Sequence, residues 1–268
     1  LDQAKGLKTA TFISGYRGSP LGGLDMALHA ARKHLAAADI RFVPGVNEDL
    51  GATAVWGSQQ LNLGPGAQYD GIVGMWYGKG PGVDRSADAL KHANAAGSSK
   101  HGGVLALAGD DHACKSSTFP HQSEQAFIHC MIPVLHPAGI GDALELGLHG
   151  IAMSRYSGCW TGFKIISDFA DSSASVFSDP FALQFKTPTD FEMPADGLNI
   201  RWYDPPVAQE ERLIRFKLPA AQSYARANGL DRFVINPAKK RLVIAAAGKG
   251  LMDTLQALED LGVSKKRA

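Results

Sequence analysis

The sequence predicts an α/β fold built on a doubly wound, mostly parallel six-stranded sheet, and three observations carry that prediction. From Lys8 onward, short apolar runs, glycine-containing loops and amphipathic helical stretches alternate, as in a parallel sheet with helices on its faces. The runs are short and nearly all apolar, as in Val104-Leu105-Ala106-Leu107-Ala108, which marks strands buried on both sides. None approaches the ~20 residues of a membrane helix. With 268 residues and 45% hydrophobic content, the chain can bury a sizeable core.

Six strands are predicted near Thr9 to Ile13, Ile40 to Val43, Gly71 to Trp76, Gly103 to Ala108, Ile132 to Leu135 and Thr161 to Ser167. After the first strand, Leu24, Leu28, Ala31 and Leu35 fall on one helical stripe that faces a sheet. After the second, Asn47 is a good N-cap and Glu48 and Asp49 sit in a first turn, where the helix macrodipole favours acids. Gly64 is read as the end of that helix. Gly51 and Gly57 inside it each cost about 1 kcal/mol relative to alanine, which points to a close approach by another element. Later helices are expected to start at Asp84 and Asp142, each after a glycine-rich turn.

After Ser167 the character changes. Residues 168 to 240 hold seven of the fourteen prolines and one or two helices between Gln209 and Asn228, the composition of a segment that wraps a surface. Arg241 to Ala247, Gly248-Lys249-Gly250 and Leu251 to Leu261 then read as strand, turn and helix, the start of a second α/β domain. The predicted division is a first domain over 1–178, a proline-rich connector over 179–240 and the beginning of another domain over 241–268.

Charge and cysteine content exclude several classes. Lysine and arginine number 27 against 26 acids, so no long-range field favours nucleic acid or an anionic membrane. Cys114, Cys130 and Cys159 are too few and too scattered for a disulfide framework, and no basic and apolar leader stands at the amino end. A cytoplasmic protein is expected.

In a doubly wound fold, ligands sit at the carboxyl ends of the strands, so the loops there are the ones to read for chemistry. Ser14 to Gly23 is glycine-rich and opens a helix, yet it matches neither G-x-G-x-x-G nor G-x-x-x-x-G-K-[ST]. Tyr77-Gly78-Lys79-Gly80-Pro81-Gly82-Val83-Asp84 reads as a tight turn or a close backbone approach to a ligand. Gly109 to Gln122 is the densest polar run. His112, Cys114 and His121 there match no common zinc spacing and lack a fourth ligand, so no metal is expected. The histidines on helical faces, among them His29, His34, His92, His129 and His149, and Trp56, Trp76 and Trp160 are read as surface or packing residues.

Gly45-Val46-Asn47-Glu48-Asp49-Leu50 through Trp56-Gly57-Ser58-Gln59-Gln60, preceded by Ser14-Gly15-Tyr16-Arg17-Gly18-Ser19-Pro20-Leu21-Gly22-Gly23, resembles the front part of bacterial indolepyruvate ferredoxin oxidoreductases. These are thiamine-diphosphate enzymes of the 2-oxoacid:ferredoxin class, and the likeness runs over nearly the whole chain. It implies a pyrimidine-binding domain in which Glu48 is the carboxyl group that bonds N1′ of the aminopyrimidine. Lys79, Gly80 and Gly82 would line the same pocket, while Ser19 and Lys115 would meet the carboxylate of the 2-oxoacid, Lys115 by a charge-assisted hydrogen bond. The implied reaction is oxidative decarboxylation of an arylpyruvate to an acyl-CoA, with coenzyme A and ferredoxin as partners.

Two parts of that reaction have no counterpart in the sequence. There is no Gly-Asp-Gly with a downstream asparagine for magnesium and the diphosphate, and no close cysteines for an iron-sulfur cluster. The resemblance therefore implies that Mg2+, the diphosphate and the cluster are held by other residues, in a diphosphate-binding domain or subunit of a homo-oligomer, and that a transketolase-C-terminal-like domain begins near residue 241. An NAD-binding dehydrogenase domain and a noncatalytic interaction subunit are the alternatives from other classes.

Overall fold

The computed structural model describes residues 1–177 and 179–263. At its centre is a six-stranded, all-parallel sheet in the order β2-β1-β3-β4-β6-β5. The strands are β1 (Thr9–Gly15), β2 (Ile40–Phe42), β3 (Gly71–Lys79), β4 (Val104–Asp110), β5 (Val134–Leu135) and β6 (Thr161–Ile166). Each matches one of the six apolar runs. Three of them reach further at the carboxyl end than the runs do, because the neighbouring strand still offers ladder partners there. Gly15 lies opposite Tyr77, Lys79 opposite Gly109 and Asp110 opposite Ile166.

The helices are α1 (Gly22–Ala30), α2 (Arg32–Ala37), α3 (Glu48–Ser58), α4 (Gly80–Arg85), α5 (Ala87–Ala96), α6 (Ser123–His129), α7 (Ile140–Ser157), α8 (Ser167–Ala170), α9 (Pro206–Arg212), α10 (Leu218–Asn228) and α11 (Lys249–Asp260). The stripe expected to form one helix after β1 forms two, broken at Ala31. A short 3-10 turn over Leu61–Leu63 separates the end of α3 from Gly64. The turn expected over Tyr77 to Asp84 is instead the end of β3 and the start of α4. Pro81 fits the first turn of α4, where its missing N–H leaves no intrahelical bond unmade, so Asp84 lies inside a helix rather than at its cap. Asp142 falls in the first turn of α7, and its Oδ2 accepts from the Ala138 amide at 2.8 Å.

Two cores lie on the two faces of the sheet, and β4 feeds both with a period of two. Val104, Ala106 and Ala108 join Val55, Trp76, Val83, Leu90 and Phe127 under α3 to α6. Leu105 and Leu107 join Ile13, Tyr77, Met153, Phe163 and Tyr224 under α1, α7 and α10. The connector therefore contributes to the second core. Its helix runs from α9 through a π-helical segment, Leu213–Lys217, into α10, burying Leu213, Lys217, Ala220, Ala221 and Tyr224.

The strand expected over 242–247 does not form. Leu242, Val243 and Ile244 lie 78%, 72% and 52% exposed, and the sheet ends at β2 and β5 without them. A strand needs a neighbour to pair with, and this run has none among the described residues; the helix predicted after it is present as α11.

Candidate functional site

β1 is followed by β2 on one side, while β3 lies on its other side, so the loops leaving β1 and β3 part at their carboxyl ends. Such a switch point opens the crevice in which doubly wound proteins bind ligands. The amino end of α3 is brought to this crevice by two close approaches to Gly15. The Gly45 amide donates to the Gly15 carbonyl at 2.8 Å, and Gly51 packs so tightly that a Cβ there would stand 2.9 Å from Gly15 Cα. Gly51 is thus explained by a close approach, whereas Gly57 has nothing within 4 Å of a Cβ position.

Asn47 caps α3, its Oδ1 accepting from the Leu50 amide at 2.9 Å. That cap directs Glu48 inward. Glu48 is 8% exposed, and its backbone carbonyl accepts from the Trp76 indole Nε1 at 2.9 Å. Glycines flank its side chain. A Cβ at Gly82 would lie 2.5 Å from Glu48 Cγ and 2.8 Å from Oε1, and one at Gly78 3.4 Å from Cγ. Among the described residues no hydrogen bond or ion pair reaches the Glu48 carboxyl. Asp49 behaves otherwise. It turns outward to Arg85, Nε to Oδ1 2.5 Å, and that partner holds its carboxyl below the usual range.

Gly80 and Gly82 are buried in the first turn of α4, Gly80 against the His121 ring and Gly82 against Glu48. Lys79, the last residue of β3, lays its stem along Gly18, whose Cβ would stand 3.0 Å from Lys79 Cδ, and it makes no ion pair among the described residues. Ser19 and Lys115 are exposed, and among the described residues neither side chain makes a hydrogen bond. The structure thus brings Gly82 into direct contact with Glu48, sets Gly80 in the same turn of α4 against His121, places Lys79 beside the β1 loop, and leaves Ser19 and Lys115 at the surface of their loops.

The acidic pair of the polar run is turned inward. Asp110 caps α6 by accepting from the Ser123 amide at 2.9 Å and the Ser123 hydroxyl at 2.5 Å, and it pairs with buried Lys164, Nζ to Oδ2 3.2 Å. Lys164 also donates to Glu124 at 2.6 Å. Burial opposes ionisation of Glu124, yet the lysine brings its carboxyl below the ordinary range. Asp111 accepts from the Ser116 amide at 2.8 Å, which lowers its carboxyl in the same sense. These acids shape the loop rather than face a ligand. Lys164 was invisible to sequence reading because it lies alone within an apolar strand, and Trp76 reads there as packing although its N–H fixes Glu48.

Two cavities of about 220 and 200 Å³ lie elsewhere, one beside Trp56 and Trp202, the other beside Leu144 and Leu183. Neither carries a carboxyl in a comparable setting, so the unpartnered Glu48 marks the site more strongly than cavity size does. Among the described residues no group of three or more histidines, cysteines and acids could hold a metal, and no helix is long and apolar enough to cross a membrane. In comparisons with known proteins, no family model and no curated protein matches the chain.

Proposed function

We propose that the chain is the pyrimidine-binding part of a thiamine-diphosphate-dependent 2-oxoacid ferredoxin oxidoreductase acting on arylpyruvates. One observation carries the reading. Glu48 is only 8% exposed as a residue, and its carboxyl has no donor among the described residues, at the strand ends where the fold opens its crevice. A carboxyl that no protein donor occupies, on a mostly buried residue beside the crevice, is free to bond a ligand. A ring nitrogen that shares a proton with it would give it a partner, and the glycines at 78 and 82 let the backbone pack directly against its side chain, where a Cβ at Gly82 would collide with it.

When bound, thiamine diphosphate would supply the nucleophilic carbon and the electron sink for decarboxylation. Glu48 would hold or release a proton at N1′, and the Trp76 indole N–H would keep its backbone fixed while it does so. Val46 and Leu50, 79% and 53% exposed beside Glu48, would exclude water once covered. Lys79 would line the pocket, and Ser19 and Lys115 would receive the substrate carboxylate. The diphosphate, Mg2+, iron-sulfur cluster, coenzyme A and ferredoxin sites belong to other residues in this proposal, in a further domain or subunit. The proposed setting is the cytoplasm.

The alternatives fit less well. A nicotinamide site needs an acid after β2 for the ribose, and Val43-Pro44 stands there instead. A noncatalytic module gives no reason for the partnerless carboxyl.

The test is exchange of the cofactor's C2 proton, followed by NMR in the complete enzyme. Glu48→Gln is expected to slow it by ~10² to 10⁴, the range for loss of a proton-transfer partner. Unchanged exchange in a folded variant would remove Glu48 from the mechanism.

A further inference from the structure

His121 belongs to the loop between β4 and α6, and it grips α4 at both ends. Its ring packs on Gly80, where a Cβ would stand 2.7 Å from His121 Cγ, and its Nε2 meets Asp84 Oδ2 at 3.1 Å. The other ring nitrogen, Nδ1, lies 3.1 Å from the Phe119 carbonyl, and whichever ring nitrogen carries the proton has an acceptor before it, so an outward swing of the imidazole would cost a hydrogen bond. The His121 side chain is 22% exposed and that of Asp84 60%, which makes the histidine the anchored partner.

α4 needs such anchors. At six residues it is too short to hold its shape or place by its own hydrogen bonds. Arg85 ties its last residue to Asp49 on α3, and His121 ties the rest to the β4 loop. Between those ties Gly82 is pressed against the Glu48 side chain. Movement of α4 away from the sheet would widen the space beside the carboxyl, and movement toward it would close that space.

We propose that His121 is a positioning residue for Glu48: by clamping α4 it holds Gly82 over the carboxyl and sets the width of the slot that receives the aminopyrimidine ring. The proposal rests on the thiamine reading of this site. Among the described residues His121 makes no hydrogen bond or ion pair with Glu48, and its contacts are with Gly80, Asp84 and Phe119, so it acts through α4.

The experiment uses this chain, with thiamine lacking its diphosphate as the probe. Amide NMR shifts at Glu48 and Gly82 report thiamine binding, and hydrogen exchange of the Gly82 to Arg85 amides without ligand reports the clamp. His121→Ala is expected to weaken thiamine about tenfold, the order expected when a hydrogen bond to a charged group is lost, and to speed exchange in α4 while β1 and β4 stay protected. His121→Gln, which keeps a donor within reach of Asp84, should regain most of the affinity. His112→Ala, an exposed change in the same loop, should behave as wild type. Should His121→Ala fail to fold, Asp84→Ala removes the same bond from the exposed side. A wild-type chain that binds thiamine and a His121→Ala chain that binds it equally well would overturn the proposal alone, as would unchanged exchange in α4. Absence of any thiamine-dependent shift in wild type would overturn the proposed function and, with it, the slot that His121 is said to set.

Discussion

Glu48 and Lys217 are both buried charged groups, and they lead to different expectations. The Glu48 carboxyl has no donor among the described residues, and as an acid in the first turn of α3 it contributes about 0.3 to 1 kcal/mol through the macrodipole. With only that contribution at stake, Glu48→Gln should lower the stability of this chain by less than about 1 kcal/mol in a thermal melt. A loss of about 3 kcal/mol would reveal a structural donor to the carboxyl. Lys217 is 1% exposed and donates to the Ala95 and Ala96 carbonyls, at 2.8 and 3.1 Å, at the carboxyl end of α5. Burial pulls its ammonium down to about 8 from the ordinary 10.5. Between those values the unfolded chain binds a proton that the folded chain has lost, so this group makes stability rise with pH; below pH 8 its penalty is complete and constant. The thiols of Cys130 and Cys159, raised by burial from 9.0 to about 11, act in the opposite sense above pH 9. The clean window is therefore pH 8 to 9. There the urea stability of wild type should gain about 1 kcal/mol on Lys217→Met, and a difference independent of pH would contradict the desolvation of Lys217.

The two glycines of α3 separate packing from helix propensity. A Cβ at Gly51 would meet the backbone of Gly15, which cannot turn aside, so Gly51→Ala should push α3 off β1 and cost about 1 to 3 kcal/mol. Gly57 is exposed with open space around it, so Gly57→Ala should stabilise by up to about 1 kcal/mol. Chemical denaturation of both variants checks the pair, and equal effects would contradict the packing. Local signals made most of the elements readable in the sequence. Buried parallel strands are written as apolar runs, and the Asn47 cap identifies the start of α3 and the inward residue after it. What escaped depends on partners far along the chain: the extension of β3 to Lys79 needs β4 beside it, α4 needs His121 and Arg85, and the inward turn of Asp110 needs Lys164, 54 residues later in the sequence. The Leu242 to Ala247 run has the composition of a strand and, among the described residues, lacks the neighbour that would make it one.

At the scale of the whole molecule, Glu48 and the glycines around it address one end of the proposed cofactor, and the charge of that cofactor lies at the other. The chain should therefore bind thiamine diphosphate more weakly than micromolar, short of about −8 kcal/mol. Titration calorimetry decides this, and micromolar binding would reveal a phosphate site among these residues. The sheet described above has another consequence, for association. Its two borders are β2, three residues long, and β5, two residues long, so it offers almost no free ladder on which another chain could add a strand. The uncharged, exposed run from Leu242 to Ala247 offers one without such protection. Any tendency of this protein to form intermolecular β structure should arise there, and Val243→Lys should lengthen the lag before thioflavin-positive aggregation without altering the melting of the sheet.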